Sequence, residues 1–403
     1  MNTPSLRLYA LCACCVVIAA CSQTTELSRF QFTPNFNSLA DRGVGLLSYR
    51  VLHSFGAVHD GNYPNAGLIY VGDSFYGTTT GGGLRGKGTV FSVTTSGAEK
   101  VLHSFGGTKT SGRAPYGGLV DVGGTFYGTT EYGGAFDDGT VFTITPDDKE
   151  KLLYSFGKGT DGYGPSSVLL DAGGTLYGTT SAGGTNFCPS SDGCGTVFSI
   201  TTSGKEKVLH NFGKGTDGRF PDAGLIEVHG TLYGTTYKGG TYGLGMVFGI
   251  TTGGKEKVLH SFGPGNDGEN PGSGLIDVKG RLYGTTPYGG THNGSGTLFS
   301  VTTSGKERVL HNFGKGADGS FPYGSLIDVG GTLYGTTGDG GAYGFGTLFS
   351  ATTGGTEKVL HDFRKGTDGN TPLGDLTYKG GSFVGTAIYG GPYGDGVVFS
   401  LTP

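Results

Sequence analysis

The chain has 403 residues, a net charge of −4 and 85 glycines, with 22 Tyr, 25 Phe and no Trp. Glycine without a Gly-X-Y period excludes a collagen-like rod, and the aromatic content excludes a disordered glycine-rich tract. No basic stripe is present, so no nucleic-acid partner is expected. After residue 20 no apolar run reaches the ~18 residues of a membrane span.

Residues 1–20 read as an export signal. Arg7 supplies a short positive start, and residues 8–18 form an apolar stretch of signal-peptide length. The stretch ends in Ile18-Ala19-Ala20-Cys21, which resembles the bacterial lipobox. That resemblance implies cleavage before Cys21, lipidation of its thiol and of the new amino terminus, and attachment to a membrane through the lipid. Each acyl methylene buried in a bilayer contributes about 0.8 kcal/mol, so several chains anchor stably. Ser22 stands where an inner-membrane retention signal carries Asp, which points to the outer membrane in a Gram-negative host. Residues 21–43 hold the lipidated Cys and a polar tether, and residues 44–403 the folded domain.

Cysteine usage fits export. Cys12, Cys14 and Cys15 leave with the signal, and Cys21 is the anchor. Cys188 and Cys194 remain, and a disulfide between them is expected, which needs an oxidising compartment. So short a loop gains roughly 2 kcal/mol on the chain-entropy model. Zinc is not expected there, because no second Cys or His pair completes four ligands.

The folded region is a tandem repeat. The Phe of a "VLHSF" landmark recurs at 55, 105, 156, 212, 262, 313 and 363, with spacings of 50, 51, 56, 50, 51 and 50. The long spacing contains the Cys188–Cys194 insertion. A "GTVFSIT" landmark and a third, "LYGTT", also appear in seven forms each, the third running from "FYGTT" at Phe75 to "FVGTA" at Phe383. Each unit divides into four strand candidates. In the fourth unit these are residues 224–228, 231–236, 246–252 and 257–262. Four antiparallel strands per ~40–50 residues predict an all-β, seven-bladed β-propeller. The repeats begin with the fourth-strand motif and end after the third-strand motif. Residues 50–55 are therefore expected to complete the C-terminal blade and close the ring.

The units, as in "GTLYGTTYKGG…GMVFGITTGGKEKVLHSF", resemble the GloVer-type tandem-repeat proteins of bacteria over roughly residues 50–403. The resemblance implies an exported protein whose anchor varies between members. It implies no catalytic residues.

Residues present in every copy are expected to be structural. His53, His103, His210, His260, His311 and His361 share one fourth-strand position, with Tyr154 in the remaining copy. In separate outer strands they are too far apart to share an ion, and hydrogen bonds between blades are expected instead. Asp60, Asp161, Asp217, Asp267, Asp318 and Asp368 precede Gly and read as turn residues. Asp121, Asp171, Glu227, Asp277 and Asp328 end first strands and read as hairpin caps, a cation-attracting ring being the alternative.

Function is expected on the loops that differ between copies. The connections after the second and fourth strands are long and share one face. They carry Arg85, Tyr132, Asp138, Tyr237, Tyr242, Tyr288, His292, Tyr343, Tyr389 and Tyr393, a set suited to a polar ligand. The leading expectation is a monomeric envelope binding module for a glycan or envelope protein, with no cofactor and no metal. A glycan or lactone hydrolase with a central site is the first alternative, although no Gly-x-Ser-x-Gly elbow, HExxH or phosphate loop is present. A structural surface component is the second.

Overall fold

The computed structural model of the chain describes residues 47–188 and 193–403. The export signal, Cys21 and the tether fall outside the described residues. Seven four-stranded antiparallel sheets form the blades of a β-propeller, and no described residue is helical.

Blade 4 shows why the repeat folds this way. Its strands are Ile226–Val228, Thr231–Thr236, Met246–Thr251 and Glu256–Ser261, paired in that order. The first two join through His229-Gly230, with φ of 52° and 79°. Both central residues of this tight turn sit at positive φ, as a type I′ hairpin requires. First strands of neighbouring blades approach one another and surround the axis. The third strand is buried except at its last residue, because adjacent blades cover both sheet faces. The outer strand is largely half-exposed.

Each landmark has a mechanical role. The "VLHSF" Phe leaves its own blade and packs edge-on against the "GTVFS" Phe of the next. Phe262 meets Phe299 at 5.1 Å between ring centroids, and Phe55 meets Phe91 at 4.9 Å. Within "LYGTT", the Gly leaves room for neighbouring side chains. A Cβ on Gly284 would lie 2.8 Å from Leu275 and 2.9 Å from Phe299. The first Thr donates to a backbone carbonyl of the next blade, as Thr78 does to Gly117 at 3.0 Å and Thr386 to Ala66 at 3.0 Å. The second Thr bonds across its own blade, Thr79 Oγ1 lying 2.7 Å from Thr89 Oγ1.

The ring closes by its two ends. Ser48–Ser54 pairs antiparallel with Val397–Thr402, with a bulge between Val51 and His53. In blade 4 the pairing Phe248↔Val258 and Val247↔His260 carries the same irregularity. The closing strand thus reproduces the register of a covalently continuous blade.

The long loops are more ordered than their composition announces. Two-residue ladders tie them together, as Gly61–Asn62 pairs with Gly81–Gly82. Their glycines offer no side-chain alternation, so no strand pattern marks them in the sequence. Cys188 and Cys194 form the expected disulfide, and both are buried.

Candidate functional site

The hairpin face is occupied by local structure. Asp121, Asp171 and Asp328 accept the backbone N–H of Gly124, Gly174 and Gly331, each at 2.9 Å. Glu227 accepts from Gly230. These carboxylates cap tight turns.

The loop face carries what varies. At the tip of each second-to-third loop, one side chain lies at the outer rim. Phe136, Tyr242, Tyr343 and Tyr393 are 51, 60, 49 and 61 % exposed, and in the inserted loop Phe187, one residue beyond this position, is 81 % exposed. Arg85, exposed, and His292, half-buried, hold the position in two further blades. The glycine after the outer-strand Phe makes room for these tips. A Cβ on Gly56 would lie 2.5 Å from Cβ of Tyr393, and one on Gly263 would lie 3.1 Å from the Tyr242 ring. Arg364 replaces that glycine in blade 6, and its guanidinium lies 4.6 Å from the centre of the Tyr343 ring. Phe136 and Phe187 were not anticipated from the sequence. Phe136 keeps the offset of Tyr242, Tyr343 and Tyr393 from the Gly-Gly pair, and this signal could have found it.

The other expected site residues are spread around the ring rather than gathered in one pocket. Tyr132 lies beneath Arg113, 5.4 Å from ring centre to guanidinium, and Arg113 pairs with Asp137. Asp138 is half-buried, and its carbonyl accepts Gly164 N–H at 2.9 Å. Tyr288 Oη lies 2.8 Å from Tyr323 Oη, and His292 Nδ1 lies 3.2 Å from the Asn312 carbonyl oxygen. Tyr389 packs against Tyr63 at 5.8 Å. Tyr237 lies under the Lys238 ammonium at 5.4 Å.

Lys238 also lines a cleft of about 310 Å³ on this face, together with Arg219, Phe220, Gly215 and Gly243. Arg219 Nε is enclosed there without a hydrogen-bond partner. Tyr242 adjoins the cleft in sequence. Two cations beside an exposed aromatic have the chemistry to meet a polar, anionic group.

Nearer the axis, Asp222 precedes the innermost strand of blade 4. It lies deep in the ring, beside the central channel that a propeller encloses, and is half-buried as a residue. Burial, reinforced by the Glu131 carboxylate of blade 2, pushes its carboxyl up to about 7. Asp222 Oδ1 and Ser166 Oγ have no hydrogen-bond partner. A raised folded-state value means that Asp222 contributes stability below the unfolded carboxyl range of about 3.9 and loses it as pH rises through about 7. Asp222→Asn is therefore expected to melt higher than the natural chain at alkaline pH, with the gap narrowing on acidification. Melting curves of both chains across that window check it, and a gap independent of pH would refute it.

The repeated His and Asp residues meet at the blade junctions. His53 Nε2 lies 3.0 Å from Asp60 Oδ2, while Asp60 Oδ1 accepts Gly61 N–H at 2.6 Å. The expected bond between blades takes this form, through the loop that enters the next blade. Glu99, from the outer strand of that next blade, completes a group whose ligand-type atoms all lie within 4.8 Å of one another. His210, Asp217 and Glu256 repeat the arrangement. So do His260 with Asp267 and Glu307, and His311 with Asp318 and Glu357. The expectation that histidines too far apart cannot share an ion overlooked these nearer partners. The Glu opens each outer strand, in "AEK", "KEK", "KER" and "TEK" for Glu99, Glu256, Glu307 and Glu357, and reads in isolation as a solvated turn charge. Burial, then Asp60, pushes the Glu99 carboxyl up to about 7 against the opposing effect of His53.

Fold and loop face together define an all-β repeat propeller with one repeated scaffold and one variable face. The chain belongs to the Gloeobacter/Verrucomicrobia repeat family, which it matches over residues 45–190 and 188–399. No curated protein matches it. Among solved structures it is similar to a puromycin hydrolase S511A mutant complexed with PGG, at 13 % identity and a TM-score of 0.52, over 84 % of this chain and 52 % of that one. It is also similar to puromycin hydrolase, at 14 % identity and a TM-score of 0.51, over 82 % of this chain and 50 % of that one. This chain thus corresponds to about half of each hydrolase chain. A gluconolactonase of Xanthomonas campestris, XC5397, aligns at 15 % identity with a TM-score of 0.41, over 69 % of this chain and 82 % of that one. At such identities the likeness is one of fold.

Proposed function

We propose that the protein is a lipid-anchored binding module of the bacterial cell envelope, and that its loop face takes a glycan bearing acidic groups. The observation that carries this reading is the cleft of Arg219 and Lys238 beside the exposed aromatic rim. Flat aromatic side chains stack on sugar faces, and the two cations meet carboxylate or phosphate substituents. The lipobox at Cys21 supports the envelope location, with the outer membrane as destination in a Gram-negative host. Envelope proteins remain the competing partner class.

The test is a binding screen of the full chain in detergent against neutral glycans, acidic glycans and envelope proteins. Saturable binding of acidic glycans, weakened about tenfold or more by Arg219→Ala with Lys238→Ala, is expected. Binding that survives Tyr237→Ala, Tyr288→Ala and Tyr389→Ala together would count against the loop face.

A second reading rests on the Glu131–Asp222 pair. One carboxyl held near neutrality beside another is an arrangement suited to acid–base hydrolysis in the channel. Hydrolysis of a glycan or lactone that disappears with Asp222→Asn would favour it over simple binding.

A further inference from the structure

We propose that four of the seven blade junctions are binding sites for a divalent transition-metal ion, each held by one imidazole and two carboxylates. They are the junctions completed by Glu99, Glu256, Glu307 and Glu357. This goes beyond the ligand reading above and shares no residue with it.

Three observations carry the assignment. The first is geometry. The His Nε2 and Asp Oδ2 atoms stand 3.0, 3.0, 3.0 and 2.8 Å apart in the four junctions. These are hydrogen-bond spacings, and tetrahedral ligands at about 2.1 Å from one zinc stand about 3.4 Å apart, so a pair at 3.0 Å needs to open by only about 0.4 Å to share an ion. The Glu oxygen lies within the same small volume. Its source is the neighbouring blade, so an ion there would bridge two blades.

The second is an unmet acceptor. Oε1 of Glu99, Glu256, Glu307 and Glu357 is enclosed in every case and has no hydrogen-bond partner, and the same holds for Oε1 of Glu206 in the junction with Tyr154. An enclosed carboxylate oxygen without a donor is costly, and a cation at the centre of the cluster satisfies it. One imidazole with two carboxylates suits zinc and its first-row neighbours better than calcium or magnesium, which take oxygen ligands.

The third is the pattern of exceptions. Tyr154 replaces the His in one junction, and its hydroxyl donates to Asp161 at 2.7 Å and lies 3.5 Å from Glu206. Tyr49 replaces the Glu in the closing junction, where its ring stacks on His361 at 4.0 Å and its hydroxyl donates to the Asp368 carbonyl. Ser111 replaces the Asp after His103, and its Oγ accepts Gly106 N–H at 3.1 Å. Each of these three junctions lacks one ligand of the set. In the closing junction the phenol takes the Glu position itself, whereas in the Tyr154 junction Glu206 Oε1 stays unmet, so the missing imidazole is what sets that junction apart.

The experiment is zinc binding to the full chain, dialysed to low free zinc and measured by elemental analysis and by the zinc-dependent rise in melting temperature. The comparison chain carries Glu99→Gln, Glu256→Gln, Glu307→Gln and Glu357→Gln, which keep shape and remove the anionic ligand. The natural chain is expected to hold about four more equivalents than this variant, and its melting temperature to rise with zinc where that of the variant does not. Glu206→Gln, in the junction with Tyr154, is expected to leave the count unchanged. An equal zinc content in the natural and four-site chains, or a loss with Glu206→Gln matching that of Glu99→Gln, would overturn the assignment. Failure here leaves the loop-face reading intact, because the glycan screen, repeated with a zinc chelator present, reads binding independently of the junctions.

Discussion

Removing Ser48–Ser54 is expected to lower the melting temperature by about 10 °C or more. The strand supplies one complete edge of the C-terminal blade and pairs along Val397–Thr402. Without it, the ladder groups of that strand face water and blade 7 loses its outer edge. Phe55, which follows the strand, would no longer be held against Phe91. Loss of a buried Phe alone costs about 3–5 kcal/mol. The interface between the last and first blades weakens as well, because His53 and Asp60 bridge toward Glu99. Calorimetry of the shortened chain checks the outcome. Partial recovery on adding a peptide spanning residues 47–56 is also expected, since the lost contacts are noncovalent. An unchanged melting temperature would show that the ring does not depend on this closure.

The second large effect separates two kinds of glycine. Gly284→Val places carbon where Leu275 and Phe299 already lie, at 2.8 and 2.9 Å even for the first atom. Overpacking of this kind costs about 1–3 kcal/mol, and a branched side chain sits at the upper end. Gly280 is different. It has a φ of +81°, and a Cβ there would meet nothing within 4 Å, so its need is conformational. Asn tolerates that backbone region, and Gly280→Asn is expected to cost less than about 1 kcal/mol. Denaturant midpoints of the two variants check the contrast. Equal losses would mean that the "LYGTT" glycine is not there for packing.

Much of this architecture was legible because the landmarks are chemically loud. Seven recurrences of a buried Phe, with six Gly-Thr-Thr tracts and a seventh as Gly-Thr-Ala, set the blade count, and the phase difference between the chain's ends located the closing strand. The paired loops were not legible, since Gly61–Asn62 and Gly81–Gly82 bond through backbone alone. The candidate site was legible only in part. Tyr242, Tyr343 and Tyr393 were readable from their place in the variable loops, whereas Arg219 sits in the connection after the fourth strand and signals nothing by itself. Asp222 is similar, because its raised carboxyl comes first from its burial in the folded ring and then from Glu131 two blades away. Glu99 and its counterparts were missed for the same physical reason. Their partners come from the preceding blade, and a sequence period cannot say which residues of adjacent copies touch.

Repetition builds the ring, and departures from repetition mark the surface proposed to bind its ligand. The most direct measurement compares the affinity of three full-length chains for the tightest ligand of the glycan screen. One chain is natural, and one carries Phe136→Ser, Tyr242→Ser, Tyr343→Ser and Tyr393→Ser at the rim. The third carries Glu131→Gln with Asp222→Asn in the channel. At matched melting temperatures, the rim chain is expected to bind about tenfold or more weakly, a loss of about 1.4 kcal/mol, and the channel chain as tightly as the natural one. Undiminished binding by the rim chain would contradict the account, and loss confined to the channel chain would move the site to the axis.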